Sequence, residues 1–125
     1  MQNPVGYFEI AVRNLDRATA FYTAVFGYDF ERLEIDGNQM ALFPLHEGAP
    51  GITGALAQGE SYVPGQQGCR LYFYTASIAE TLARAEDAGG KVLYPRTSIG
   101  DLGWVAEFED SEGNCIALSE PPATR

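Results

Sequence analysis

The order of apolar and polar residues predicts that the chain begins with a strand and an amphipathic helix. Residues 7–12 alternate, which places Phe8, Ile10 and Val12 on one face of a strand and leaves the other face to Tyr7, Glu9 and Ala11. Asn14 is a suitable N-cap, apolar residues then recur at helical spacing from Leu15 to Phe26, and Gly27 stands where a helix would stop. Three shorter apolar segments follow and predict strands at residues 28–33, 39–44 and 53–57.

The same order of elements restarts in the second half of the chain. Residues 59–68 are rich in Gly, Pro, Ser and Gln, have no periodicity, and predict a linker. The segments after it predict, in order, a strand at 70–75, a helix at 78–88, and strands at 91–94, 103–109 and 115–119. Residues 97–103 contain two glycines and are interpreted as a mobile loop.

A shift of 63 positions superimposes the two halves, because it places Leu15 on Ile78, Ala20 on Ala83 and Gly27 on Gly90. Such a period indicates two copies of one supersecondary unit that share a core, since neither copy is large enough to bury a good core alone. We therefore expect residues 1–125 to form a single domain, with one module at 4–58 and the other at 69–120.

Composition and charge narrow the possible functions. The chain has 125 residues, 46% of them hydrophobic, and its 17 acidic and 8 basic residues give a formal net charge of −9. That charge repels both nucleic acid and anionic membrane surfaces, so neither is an expected partner. No stretch of about 20 apolar residues occurs and the first residues do not look like a secretion signal, which predicts a cytoplasmic protein with Cys69 and Cys115 reduced.

Several motifs resemble the vicinal oxygen chelate superfamily, which contains glyoxalases, bleomycin resistance proteins and extradiol dioxygenases. The similarity is carried by Val12-Arg13-Asn14-Leu15-Asp16-Arg17-Ala18, by Phe26-Gly27, by Ala88-Gly89-Gly90-Lys91-Val92 and by Glu109-Asp110-Ser111-Glu112-Gly113-Asn114. The resemblance covers residues 4–120 and implies an α+β fold, in which two βαβββ modules form a curved mixed sheet around a cleft. It also implies a homodimer, since short members of the superfamily often place their sites near a subunit interface.

The superfamily usually holds a divalent metal ion in that cleft with His, Glu or Gln side chains, but this chain departs from the pattern. The four corresponding positions carry other residues, namely Tyr7, Arg70, Ala117 and Ala55. Two methyl groups and a fixed positive charge do not make a ligand shell, so we predict no metal or other cofactor. An atypical metal site that uses Glu9 as a displaced ligand is kept as an alternative.

Strand alternation predicts which residues line the cleft instead: Tyr7, Glu9, Arg70, Tyr72 and Tyr74, with Phe43 and Trp104 as possible extensions. Such a lining suits a small organic ligand, with an aromatic body for the tyrosines or a carboxylate for Arg70. The competing interpretation is that Glu9 and Arg70 form an internal ion pair. For Phe43 and Trp104, core or interface positions are the favoured interpretation.

Two functional hypotheses follow. The first is a protein that binds a small aromatic or carboxylate-bearing molecule without a metal. The second is a glyoxalase-like lyase or isomerase, or a dioxygenase-type enzyme, in which Glu9 serves as the general base. The single histidine, His46, is expected in a loop, where it is either solvated or part of a lid.

Overall fold

A computed structural model describes residues 2–123 and shows the predicted repeat of strand, helix and three strands. The first module consists of β1 (Phe8–Ala11), α1 (Leu15–Phe26), β2 (Glu31–Ile35), β3 (Asn38–Leu42) and β4 (Gly54–Gln58). The second module consists of β5 (Tyr72–Tyr74), α2 (Ile78–Asp87), β6 (Lys91–Ser98), a 3-10 turn (Gly100–Leu102), β7 (Trp104–Glu109) and β8 (Cys115–Glu120).

The predicted ends of helix α1 are confirmed by its capping. The Asn14 side chain accepts a hydrogen bond from the Arg17 backbone N–H at 3.0 Å, which satisfies one of the donors left free in the first turn. Gly27 has a φ of 77° and its N–H bonds to Thr23 O, so the helix stops where a left-handed residue is tolerated. Ser77 caps α2 in the same way as Asn14 caps α1.

Each module forms its own four-stranded sheet with the same strand order, β1-β4-β3-β2 in the first and β5-β8-β7-β6 in the second. The first strand of each module runs parallel to the last one, and the remaining pairs are antiparallel. β1 and β5 are therefore edge strands, each with one side that carries no partner strand.

The two sheets turn their helix-covered faces toward one shared core. Ile10 and Val12 of the first module and Phe108 and Leu118 of the second belong to the same buried cluster, and the helices α1 and α2 contact each other. We call the opposite side of each sheet, which carries no helix, its outer face. Because both inner faces meet in the shared core, the two outer faces point away from it.

Buried polar groups also join the modules. The Tyr22 hydroxyl of α1 donates to Asp110 of the second module at 2.8 Å, and the Asn114 amide donates to Ala11 O at 2.8 Å. Glu112 accepts hydrogen bonds from the backbone N–H groups of Arg13 and Asn14, the two residues just before α1. These contacts fix the angle between the modules more specifically than apolar packing does.

Two predicted boundaries are wrong. The strand expected at residues 28–33 begins only at Glu31, because the Tyr28 ring stacks on Phe26 at 5.1 Å and holds this segment against the core. The loop expected at 97–103 is shorter, since Thr97 and Ser98 continue β6 and pair with β7.

Among residues 2–123, no helix is long and apolar enough to span a bilayer.

Candidate functional site: an aromatic cavity between the modules

A cavity of about 560 Å³ lies between the modules, beside the contact of the Phe8 ring of β1 with the Phe73 ring of β5. Its walls come from both modules: the N-terminal segment before β1, the connection between β3 and β4, and β5 itself. We call it the inter-module cavity. The residues that line it are Asn3, Pro4, Val5, Phe8, Tyr28, Phe43, Pro44, His46, Pro50, Gly51, Ile52, Thr53, Leu71, Tyr72, Phe73 and Tyr74. Its volume is in the range of small-molecule sites.

The floor of the cavity is part of the aromatic core. The Phe8 ring lies 5.4 Å from Phe43 and 6.0 Å from Phe73, and Tyr28 packs edge-on against Phe43 at 5.6 Å. Edge-to-face and tilted contacts at these distances are favourable, and each ring is held by several others. The floor is therefore a preformed surface whose rings do not need to be ordered by a ligand.

A glycine explains how Phe8 reaches this floor. Gly54 pairs with Phe8 across the parallel strands β1 and β4, and a Cβ on Gly54 would lie 2.7 Å from the Phe8 ring. The missing side chain lets the ring lie flat over the strand. Next to it, the Thr53 hydroxyl donates to Pro44 O at 2.8 Å, and this bond closes the base of the β3–β4 connection.

The polar side chains that line the cavity are uncharged ones and the imidazole of His46. Tyr74 is 69% exposed and Tyr72 is 52% exposed, so both rings are available to a ligand. His46 reaches the cavity from the exposed β3–β4 connection. No Asp, Glu, Lys or Arg lines the cavity among the described residues. In a chain of net charge −9, this site is locally free of carboxylates.

The structure brings together only part of the predicted site. Phe43, Tyr72 and Tyr74 line the inter-module cavity, whereas the other four predicted residues do not. Arg70 forms an ion pair with Glu107 at 3.3 Å, within the second module. Trp104 packs against the core, and the Arg96 guanidinium lies 3.6 Å from the centre of its ring. Trp104 is therefore a packing residue and does not extend the cavity.

Tyr7 and Glu9 lie on the outer face of the first sheet, as strand alternation predicts, but they do not meet Arg70 there. The Glu9 carboxylate accepts hydrogen bonds from Tyr7 at 3.2 Å and from Tyr62 at 2.6 Å. The competing interpretation, an ion pair between Glu9 and Arg70, is therefore wrong, because Arg70 pairs with Glu107 of its own module and Glu9 bonds to the two phenols.

The residues at the superfamily's metal-ligand positions do not fit a metal ion. Ala55 and Ala117 are fully buried and offer only methyl groups, and the guanidinium of Arg70 is paired with Glu107. Within residues 2–123, no three His, Cys, Asp or Glu side chains are grouped so that they could hold a metal. A divalent ion would lack the convergent N, O or S donors that it requires.

Sequence reasoning missed several residues of the cavity. Phe8 was placed only on one face of a strand, Tyr28 in a strand, and Leu71 and Phe73 received no role. The available signal was the density of aromatic residues around Gly27, where Phe26, Tyr28 and Phe30 follow one another at alternate positions. Only the contacts of the Phe73 ring with Phe8 and Phe26 show that residues of both modules share this cluster.

The comparison with known families agrees with this architecture. Residues 5–118 match the model of the Glyoxalase/Bleomycin resistance protein/Dioxygenase superfamily, and the chain belongs to this superfamily. The predicted class of fold, two βαβββ modules in an α+β domain, is thereby confirmed. No functionally curated protein matches the sequence significantly.

Many solved structures share the fold at low sequence identity. TnmS3, an antibiotic binding protein from Streptomyces sp. CB03234, is 24% identical with a TM-score of 0.69, and the match covers 96% of this chain and 97% of that one. A glyoxylase/bleomycin resistance protein/dioxygenase domain from Frankia sp. EAN1pec is 19% identical with a TM-score of 0.74, covering 97% and 99%. The fosfomycin resistance protein FosX from Listeria monocytogenes is 18% identical with a TM-score of 0.70, covering 96% and 94%.

Proposed function

We propose that this protein binds a small planar aromatic molecule in the inter-module cavity and does so without a metal ion. The observation that carries the proposal is the cavity itself: a preformed aromatic floor, two exposed tyrosine rings at the rim and a volume of about 560 Å³. A site of this kind gains affinity from apolar burial and ring contacts, and loses little to the ordering of its own side chains.

The lining also defines the chemistry of the ligand. Arg70 lies outside the cavity, so a ligand carboxylate would have no guanidinium partner there. The polar groups that remain are phenol hydroxyls, the Asn3 amide, the Thr53 hydroxyl, the His46 imidazole and backbone groups. These groups suit a ligand with a hydroxyl or carbonyl group at its edge, and they favour an aromatic molecule of two or three fused rings over a highly charged one.

Two further considerations support binding rather than glyoxalase-type catalysis. Glu9, the expected general base, is not part of the cavity, and of the four metal-ligand positions only Tyr7 carries an oxygen donor. Among proteins of the same fold, TnmS3 is described as an antibiotic binding protein, which shows that the architecture supports binding functions in that protein.

The proposal is tested by titrating purified protein with 1-naphthol, using calorimetry and the shift in melting temperature. We expect saturable binding, and we expect Tyr74→Ala to weaken it about tenfold because a ring contact and its apolar area are removed. Tyr94→Ala is the matched control: Tyr94 is also an exposed tyrosine, 44% accessible, but it lies on β6 outside the cavity. Equal affinity in the wild type and Tyr74→Ala, or no binding at all, would overturn the proposal.

Elemental analysis of the same protein tests the absence of a metal. We expect less than stoichiometric amounts of any divalent metal, and an affinity for 1-naphthol that is unchanged by a chelator. A stoichiometric metal that is lost together with binding when the chelator is added would contradict this part of the proposal.

We also propose that the protein is a homodimer. Light scattering after size-exclusion chromatography tests this, and a mass near 13.6 kDa, that of one chain, would contradict it.

A further inference from the structure

The outer face of the first sheet carries a carboxylate that no basic side chain neutralises. The four ion pairs found among residues 2–123 join Arg17, Arg32, Arg70 and Arg96 to other acidic residues, and Glu9 takes part in none of them. Both oxygens of Glu9 nevertheless have fixed partners, since Tyr7 donates to one and Tyr62 to the other. The carboxylate is thus held in one orientation.

The two phenols come from separate parts of the chain. Tyr7 precedes β1, and Tyr62 lies in the connection between the modules, which is held on its far side by a bond from Gly65 N–H to the Asn114 side chain at 2.9 Å. The hydrogen bond to Glu9 raises the pKa of Tyr62 to about 12, and partial burial together with the charge of Glu9 raises the pKa of Tyr7. Both rings therefore remain neutral phenols that can face a cation.

The ring of Tyr62 supplies the apolar surface beside Glu9. Tyr62 is partly buried and packs on a closed cluster of Met40, Ala55 and Ala57, in which Ala55 pairs with Glu9 across β1 and β4. A carboxylate flanked by two aromatic rings recognises an organic ammonium ion through a charge-assisted hydrogen bond and cation–π contacts.

We propose that Glu9, Tyr7 and Tyr62 form a second binding site, which takes a small alkylammonium cation. The ammonium group donates to Glu9 between the two phenol rings, and the carbon chain lies along the Tyr62 ring. The net charge of −9 favours the approach of such a ligand and disfavours anions. The site is distinct from the inter-module cavity, whose lining includes none of these three residues.

Benzylammonium is the probe, and neutral benzyl alcohol is its matched control, both titrated at low and constant ionic strength. We expect benzylammonium to bind at least tenfold more tightly than benzyl alcohol, and to shift the backbone amide resonances of Ala55, Ala57 and Tyr62 in the NMR spectrum. Added salt should weaken benzylammonium binding, because the contact is ionic and accessible to solvent.

Glu9→Gln should remove the preference for the cation, and Tyr62→Ala should weaken benzylammonium binding at least threefold because a ring face is lost. Glu34→Gln is the control, since Glu34 is an exposed carboxylate on the same sheet whose side chain bonds only to Gln39. Equal affinities for amine and alcohol, or an unchanged preference in Glu9→Gln, would overturn the proposal. Binding of 1-naphthol should be the same in wild type and Glu9→Gln, so failure of one site is distinguishable from failure of the other.

Discussion

Replacing Asp110 with alanine is expected to lower the free energy of unfolding by about 3–5 kcal/mol. Asp110 is 3% exposed, and it accepts hydrogen bonds from the Tyr22 hydroxyl, the Asn114 side chain and the backbone N–H groups of Glu112 and Asn114. Alanine would leave these buried donors without an acceptor, and the hydroxyl of Tyr22 is fully enclosed between the modules. Urea unfolding followed by circular dichroism measures the change.

Two further variants separate this network from a general effect of removing a charge. Tyr22→Phe deletes one donor and keeps the ring, so its expected cost is smaller, about 1–2 kcal/mol. Asp101→Ala, at an exposed position in the 3-10 turn, should change stability by less than about 0.5 kcal/mol. If Asp110→Ala were as stable as Asp101→Ala, the network would not be what holds the modules together.

Replacing Glu112 with glutamine is expected to remove a pH-dependent part of the stability. Burial alone would raise the pKa of Glu112, but hydrogen bonds from Arg17 and from the backbone N–H groups of Asn14 and Arg13 outweigh it and lower the pKa to about 2. Arg17 approaches the carboxylate at 2.7 Å, and the carboxylate also lies at the N-terminus of α1, where the helix dipole favours a negative charge.

The sign follows from this depressed pKa. The ordinary pKa of a glutamate in the unfolded chain is 4.5, so the stabilisation is fully present above that pH and is lost as the pH falls from 4.5 toward 2. At neutral pH we expect Glu112→Gln to cost about 2 kcal/mol, after allowing for solvent screening of the half-exposed Arg17. The difference from wild type should shrink steadily below pH 4.5.

Asp110 acts in the opposite direction, because burial raises its pKa even though the bonds from Tyr22 and Asn114 work against the increase. Both proteins in the comparison keep Asp110, so their difference reports mainly on Glu112. Urea unfolding at several pH values measures it, with Glu86→Gln as an exposed control on α2. A difference between wild type and Glu112→Gln that stays constant with pH would contradict the assignment.

The periodic parts of the chain were accurately predicted from the sequence. The caps Asn14 and Gly27, the apolar stripe of α1 and the alternation of β1 all depend on contacts between near neighbours, and all three are confirmed. The repeat of 63 positions likewise predicts two modules with the same order of elements. Within each module, that order depends on contacts between near neighbours. Tyr28 is the informative exception, because a contact with Phe26 and the core removes it from the strand that its composition favours.

The candidate site could be predicted only in part. Strand alternation correctly assigns Glu9 to one face of β1 and Tyr72 to one face of β5, but it carries no information on how two sheets are placed relative to each other. In the structure Glu9 bonds to Tyr62 and Arg70 pairs with Glu107, while side chains from both modules, His46 among them, line one cavity.

Residue order alone was enough to predict the repeated βαβββ pattern and the helix ends, because each depends on residue identity at fixed short spacings. Only the folded structure shows which aromatic rings share a cavity and which phenols bond to Glu9. Those outcomes depend on contacts between residues that are far apart in the chain, and such contacts exist only after the two modules have packed together.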